Sequence, residues 1–462
     1  MFDIKARGST VGREVLGGVT TFLAMSYILF LQPALLQKTG MDIGGVFMAT
    51  CIASGFTCLV MGLWANYPIA LAPGMGENTF FVFTLCGVGA AATVFRLSWP
   101  EALALTVAEG VVFLLLWTVG FRGYLLNAIP DSLKSGIAAG IGLLIALFGF
   151  EWGHLIRRDP NTFVCLAEMP GNYVAALTLA GLAITFALSA LRIRGAILIG
   201  ILAAAALTWG AGRLYHIPTI TWHGLAAMPT GLDKTAGQFI DGFSKLGGKL
   251  VGPHWAEVLM MGFVLFFMDV FDTVGTLVGV ATRAGLIRDG RLIHAERAFA
   301  ADAVGTVSSG ILGTSTVTSY VESITGVDAG ARTGLAAVVA GVCLLAALLF
   351  QPLINMIAAG VPVVLASGET VFKYPMIAPA LIFVGALMMR AARDIDWEDY
   401  TEAIPGFLTM VTMPFAFSIS AGIAVGFIAY AFGKIVTGRI RQCPIIVYVF
   451  AALFVLRYIL AP

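Results

Sequence analysis

The chain has 462 residues, 59% hydrophobic and only 11% charged, with a formal net charge of +1. That composition excludes a soluble globular protein with a polar surface, and a near-neutral charge without a basic patch gives no nucleic acid as partner. A polytopic membrane protein remains, with the lipid bilayer as its solvent.

Its apolar runs approach the roughly 20 residues that a spanning helix needs, unlike the short alternating segments of a barrel, so the fold class is all-α. Residues 1–14, MFDIKARGSTVGRE, are polar and precede a long span without a small-residue cleavage site, which predicts a retained cytoplasmic N-terminus. Apolar stretches follow at 15–36, 44–64, 69–85, 99–119, 134–150, 172–191 and 195–210. After a long connection, 211–253, they resume at 254–281, 297–312, 313–330, 333–358, 375–391, 401–418 and 420–437, with 443–460 as an extra C-terminal apolar helix. The runs 69–85 and 313–330 are too short to span and read as half-helices preceded by extended backbone. An alternative takes 401–437 as one broken span and 443–460 as the last.

Short-loop Lys and Arg set the orientation. Lys5, Arg7 and Arg13 place the N-terminus in the cytoplasm; Arg192 with Arg194, and Arg283, Arg288, Arg291 and Arg297, mark later inner ends. Parity makes 211–253 external. It also makes 151–171 external, against the tendency of Arg157 and Arg158. Lys434, Arg439 and Arg441 suit a cytoplasmic end after the fourteenth span. The six cysteines lack metal-ligand spacing and read as small hydrophobes, Phe80, Phe81 and Phe83 read as packing, and Glu369 and Lys373 as a solvated loop.

The chain repeats itself. REVLGGVTTFLAMSYI from Arg13 matches AEVLMMGFVLFFMDVF from Ala256, an offset of 243 residues that also brings Asn78 within one position of Glu322 and Gly142 onto Gly385. Each copy holds an odd number of spans, seven, so the second enters from the opposite side, and inverted repeats mark secondary transporters. Their site lies at mid-membrane where discontinuous helices meet, here among spans 1, 3, 8 and 10.

In the third span, NYPIALAPGMGENTFFVF places Pro73, Gly74 and Gly76 before Glu77, Asn78 and Thr79; in the tenth, GTSTVTSYVESITGV leads into Ser319, Tyr320 and Glu322. Unwound backbone at that depth is tolerable only where protein or a cavity satisfies it, and two helix N-termini there would offer free N–H groups to a ligand. The eighth span, MGFVLFFMDVFDTVGTLVGV, carries Asp269 and Asp272 at i and i+3, on one face and opposite Ser26 across the repeat. Carboxylates at this depth are costly and mark function by default; two together, with Glu322, make proton carriage possible. The plainer alternative is that these acids cap helices or pair with buried Ser and Thr.

At these residues the chain resembles the nucleobase–cation symporters of the nucleobase-ascorbate transporter superfamily, specifically the azaguanine-type branch of adenine, guanine and hypoxanthine permeases. The resemblance runs from about Arg13 to the end, through GGVTTFLAMSYILFLQP, APGMGENTFF, DVFDTVGTL and YVESITGVDAGARTG. It implies fourteen segments in two inverted repeats, with a core domain (15–119 and 254–358) and a gate domain (134–210 and 375–437), and short strands in spans 3 and 10. It implies no enzyme activity and no cofactor. Asp269 and Glu322 would hold a purine through its N–H groups, with Asn78 and Asp272 also important and Tyr320 and Val321 flanking the ring. Thr79 and Ser26 complete the predicted substrate site; Asp272 and Glu77 are the predicted proton-coupling or supporting acids. Glu77 stands where an apolar residue is common in the branch, and Gln32 where asparagine is. The implied function is proton-coupled purine import across the cell membrane, with the gate domain as a possible homodimer contact. Sodium coupling is the alternative, and so is anion transport on the same architecture, although an anion would prefer an Arg to three acids. An intramembrane aspartyl protease needs its aspartates on two helices and a GxGD motif, which is absent. A passive channel fits a gated repeat poorly.

Overall fold

The computed structural model describes residues 2–88, 95–118, 130–159, 162–169, 171–215, 224–288, 291–358, 360–364 and 370–460. In the first half the chain forms α1 (Val11–Met25), α2 (Ile28–Leu36), α3 (Ile43–Val60), β1 (Leu71–Pro73), α4 (Met75–Thr79), α5 (Trp99–Thr118) and α6 (Asp131–Trp152). A hairpin, β2 (Ile156–Asp159) and β3 (Phe163–Leu166), then leads to α7 (Tyr173–Ala190) and α8 (Ala196–Tyr215). After α9 (Phe239–Val251) the second half opens with the 30-residue α10 (Trp255–Ala284). It continues through β4 (Ile287–Arg288), β5 (Arg291–Leu292), α11 (Ala295–Leu312), β6 (Val317–Ser319), α12 (Ser323–Asp328), α13 (Gly334–Ala346) and α14 (Gln351–Ala358). A second hairpin, β7 (Val361–Val364) and β8 (Thr370–Lys373), precedes α15 (Ala378–Met388), α16 (Tyr400–Ala416), α17 (Ile419–Val436) and α18 (Ile445–Leu460).

This is the predicted all-α polytopic membrane fold. Nine helices among the described residues are long and apolar enough to cross a membrane. The remaining spans are broken, as at β1–α4 and β6–α12, or shortened, as in α15 and the two-proline α16. Both halves run through the same order: a long helix, a second helix, a strand with a short helix, then four more helical segments, with α18 left over.

The described chain forms two compact units, Met1–Trp117 with Glu151–Ala380, and Thr118–Phe150 with Leu381–Pro462. In the first unit α1 packs on α12 and α13, and α3 on α11 and α13. Small residues allow these contacts: a Cβ on Gly334 would lie 2.0 Å from the Gly62 carbonyl oxygen, so the α13 start and the end of the α3 segment meet backbone to backbone. At its centre β1 and β6 pair antiparallel, Leu71 with Ser319, Ala72 with Thr318 and Pro73 with Val317. The pairing extends through Gly74 N–H to the Thr316 carbonyl (3.1 Å) and Tyr320 N–H to the Ala70 carbonyl (3.0 Å). Extended backbone at this depth therefore satisfies itself, and corresponding pieces of the two copies run in opposite directions, as inverted repeats require.

In the second unit α16 and α17 fold back on one another about Phe417, which takes a left-handed φ of 49°. Lys434 of α17 donates to Glu402 (2.7 Å) and Thr401 (2.8 Å) of α16. Residues 401–437 are thus two helices side by side, not one broken span, and α18 packs on α17 where Phe427 meets Phe450 and Phe454 edge-on.

Two of the connections carry secondary structure, and one loop reading needs correction. The stretch 151–171 forms the β2–β3 hairpin, with Arg157 on β2 paired to Glu168 at 3.2 Å. The connection 211–253 contains α9, whose Lys249 pairs with Glu101 of α5 at 2.9 Å. Lys373 is not solvated: it lies buried on β8, donating to Glu151, because the β7–β8 hairpin turns it inward; Glu369 lies outside the described residues. Phe80 and Phe81 are fully buried, as packing residues should be.

Candidate functional site

Two elements of the first copy and three of the second bring acids together around the β1–β6 pair. From α10 come Asp269 and Asp272, from α4 Glu77, and from the turn before α12 Glu322. Two further acids, Glu109 at the middle of α5 and Asp302 on α11, complete the group.

Asp269 is 0% exposed, and its Oδ2 accepts from the Thr306 hydroxyl at 3.0 Å. Its Oδ1 has no donor among the described residues, and Glu109 of α5 is close by, since a Cβ on the adjacent Gly110 would stand 3.0 Å from the methyl group of the same Thr306. Glu109 in turn accepts at Oε2 from Thr316 (3.3 Å), leaving Oε1 without a donor. Asp272, one helical turn along α10, opens onto accessible space, with Asp302 and Glu322 as charged neighbours. Half-buried Glu322 accepts from the Tyr27 hydroxyl at 2.8 Å, and Tyr320 donates to the Pro73 carbonyl at 2.6 Å, so tyrosines of both copies brace the crossing.

Asp302 is saturated, accepting from Thr273 and Ser319, each at 2.6 Å. Charge-assisted bonds of this kind tie α11 to α10 and β6. Glu77 folds back over the start of its own helix. A Cβ on Gly74 would stand 2.1 Å from Glu77 Oε2, so the carboxyl lies directly over that glycine; the oxygen has no donor among the described residues.

The hydroxyls of Thr314, Ser315 and Thr316, just before β6, distribute to four helices, α2, α3, α4 and α5. Thr314 meets Thr50 and, with Ser315, accepts from Gln32; Ser315 donates to Asn78; Thr316 donates to Glu109. Gln32, one position of departure from the resembled branch, is thereby absorbed into a buried network.

The sequence-predicted site residues fall into two sets. Asp269, Asp272, Glu77, Asn78, Glu322 and Tyr320 lie in one neighbourhood. The other three do not offer their side chains there. Thr79 spends its hydroxyl on the Met75 carbonyl (2.8 Å), and Ser26 spends its own on Leu23 (3.0 Å), so Tyr27 rather than Ser26 reaches the site. Val321 is 53% exposed. Nor are both helix starts free: at α12 the Ser323, Ile324 and Thr325 N–H groups already bond to the carbonyls of Tyr320, Val321 and Glu322. Sequence reasoning missed Glu109, Asp302 and Tyr27. The first two carry the same signal as Asp269, an acid inside an apolar helix.

Such a site offers acceptors to a ligand rich in N–H donors. The profile of the Xan_ur_permease family, described as a permease family, matches residues 12–425. The guanine/hypoxanthine permease PbuG of Bacillus subtilis (strain 168) is 38% identical, over 99% of this chain and 98% of its own. The adenine permease AdeP of Escherichia coli (strain K12) is 35% identical, over 99% and 95%. Among solved structures, the transmembrane domain of the cyanobacterium bicarbonate transporter BicA has a TM-score of 0.60 at 14% identity, covering 89% of this chain and 97% of that one, a likeness of fold alone. Matched across nearly its whole length to permeases, the chain is a multi-pass membrane transporter rather than an enzyme, and it belongs to the Xan_ur_permease family of the nucleobase-ascorbate transporter superfamily.

Proposed function

We propose that this permease imports purine nucleobases (hypoxanthine, guanine, adenine) across the cell membrane by proton-coupled symport with alternating access, its N-terminus in the cytoplasm. The observation that carries the reading is the cluster of carboxyl groups at the crossing of two broken helices, in a chain whose full-length relatives are purine permeases by name. A purine is flat, neutral and rich in N–H donors, and it needs acceptors along its edge and an apolar slot for its face. Asp269 and Glu322 accept its N–H groups, Asn78 and Tyr320 stand beside the ring, and Asp272 and Glu77 support the charge balance. An anion would meet six carboxyl groups here, which disfavours an anion cargo despite the fold shared with BicA. Transport follows as the core segments, 15–119 and 254–358, move against the gate segments, 134–210 and 375–437.

Cells lacking their own purine permeases, expressing this chain, should accumulate labelled hypoxanthine, guanine or adenine, faster at acid external pH and independently of sodium. Asp269→Asn and Glu322→Gln should each lower uptake by at least about tenfold, the loss of one charge-assisted hydrogen bond of about 1.5–3 kcal/mol. Wild-type uptake by either variant would remove that residue from the site, and uptake that follows sodium instead of pH would replace the coupling ion.

A further inference from the structure

We propose that the coupled proton is held by Glu109, in a carboxyl pair with Asp269; this rests on the symport reading above. Glu109 is 4% exposed and Asp269 0%, on facing helices α5 and α10. Each spends one oxygen on a threonine, Glu109 Oε2 on Thr316 and Asp269 Oδ2 on Thr306, and each leaves the other oxygen without a donor among the described residues. The two carboxyls share a neighbour: Thr306, which donates to Asp269, also meets α5 beside Glu109, where a Cβ on Gly110 would stand 3.0 Å from the Thr306 methyl group. Ionised carboxylates are acceptors only, so two of them cannot bond; a single proton between them turns two orphaned acceptors into one donor and one acceptor.

The other charged groups facing Glu109 are Glu77 from α4 and Asp302 from α11. Asp302 is already saturated by Thr273 and Ser319, which leaves it little need of the proton. Glu77 reaches back over Gly74 and belongs to the substrate side. The pair then links the two cargoes. When a purine N–H takes an oxygen of Asp269, that carboxyl must be ionised, and the buried charge is tolerated only with the proton retained on Glu109. Base and proton therefore bind together, and neither group makes or breaks a covalent bond to the base.

The test uses the purified full chain in proteoliposomes. With one proton per base, an inward gradient of one pH unit sustains about tenfold accumulation by the wild type. Glu109→Gln preserves the shape and a fixed donor to Asp269 but cannot release it. It should bring the accumulation ratio down to one while exchange of labelled for unlabelled base continues, now without pH dependence. Glu109→Asp keeps a titratable acid and should still accumulate base, with its pH profile displaced from that of the wild type. Gradient-driven accumulation by Glu109→Gln equal to the wild type overturns the assignment. So does an unchanged pH profile in Glu109→Asp, which decides the matter even where the glutamine variant fails to fold. A wild type that accumulates no base under a proton gradient would instead sink the symport reading, and this inference with it.

Discussion

A single carboxyl group changes its meaning in this chain with the number of donors it meets. Asp302, with two hydroxyl donors at 2.6 Å, is a fastener between α11, α10 and β6, whereas Asp269 and Glu109, each half-satisfied, are poised to bind something. Asp302→Ala should lower the stability of the purified protein by about 2–3 kcal/mol, because two buried hydroxyls lose a charged acceptor, and Asp302→Asn should recover about half of that. Chemical denaturation or thermal melting in detergent reads the difference; an alanine variant as stable as the wild type would mean that the hydroxyls find other partners. This distinction was not legible in the sequence. Composition and hydropathy flag an acid inside an apolar helix as an unexplained cost, and they single out Asp269, Asp272 and Glu322. They cannot show which acid has its donors, since Thr273, Thr306, Thr316 and Ser319 are distant in the chain or ordinary in their surroundings. Applied evenly, the same cost argument would have pointed to Glu109 and Asp302 as well.

At the scale of elements, breaks were easier to read than turns. Pro73, Gly74 and Gly76 announce the interruption before α4, and the short run after Gly313 announces its counterpart, because a span of that length cannot cross a bilayer. The β2–β3 and β7–β8 hairpins carried no such length constraint, and their few residues mix polar and apolar types as any loop does. Lys373 was accordingly misread, its partner Glu151 lying 222 positions away. Close helix contact depends on equally inconspicuous residues. Alanine is the better helix former by about 0.8–1.0 kcal/mol, yet Gly334→Ala places a methyl group against the fixed Gly62 backbone, and overpacking of that kind costs about 1–3 kcal/mol. Gly334→Ala should therefore be destabilising, while Gly247→Ala on exposed α9, with open space around it, should be neutral or stabilising. Equal melting temperatures for the two variants would count against a backbone-to-backbone contact at Gly62.

Taken whole, the molecule is organised by its solvent. Large apolar side chains such as Leu179, Phe186 and Leu202 stand outward from spanning helices, where a water-soluble protein would carry charge. Leu179→Asp, at the middle of α7, should cost about 2.5–3.5 kcal/mol of insertion free energy and sharply lower the yield of membrane-inserted protein. Insertion equal to the wild type would place that face of α7 against protein or water instead of lipid. The repeated order of segments was visible in the sequence because it is written in long, strongly apolar stretches.

The pairing of β1 with β6 also sets a timetable for biosynthesis. Leu71 to Pro73 leave the ribosome about 250 residues before Val317 to Ser319, roughly ten to fifty seconds at about 5–20 residues per second. Throughout that interval the first strand lacks its ladder partner, with only the Cys58 thiol at hand for Leu71, and lipid can supply nothing more. The nascent third span must therefore wait in a wet or chaperoned place, such as the insertion machinery, until its mate is made. A ribosome stalled before residue 317 would leave an unfinished chain with an open polar edge, a ready signal for quality control to recognise.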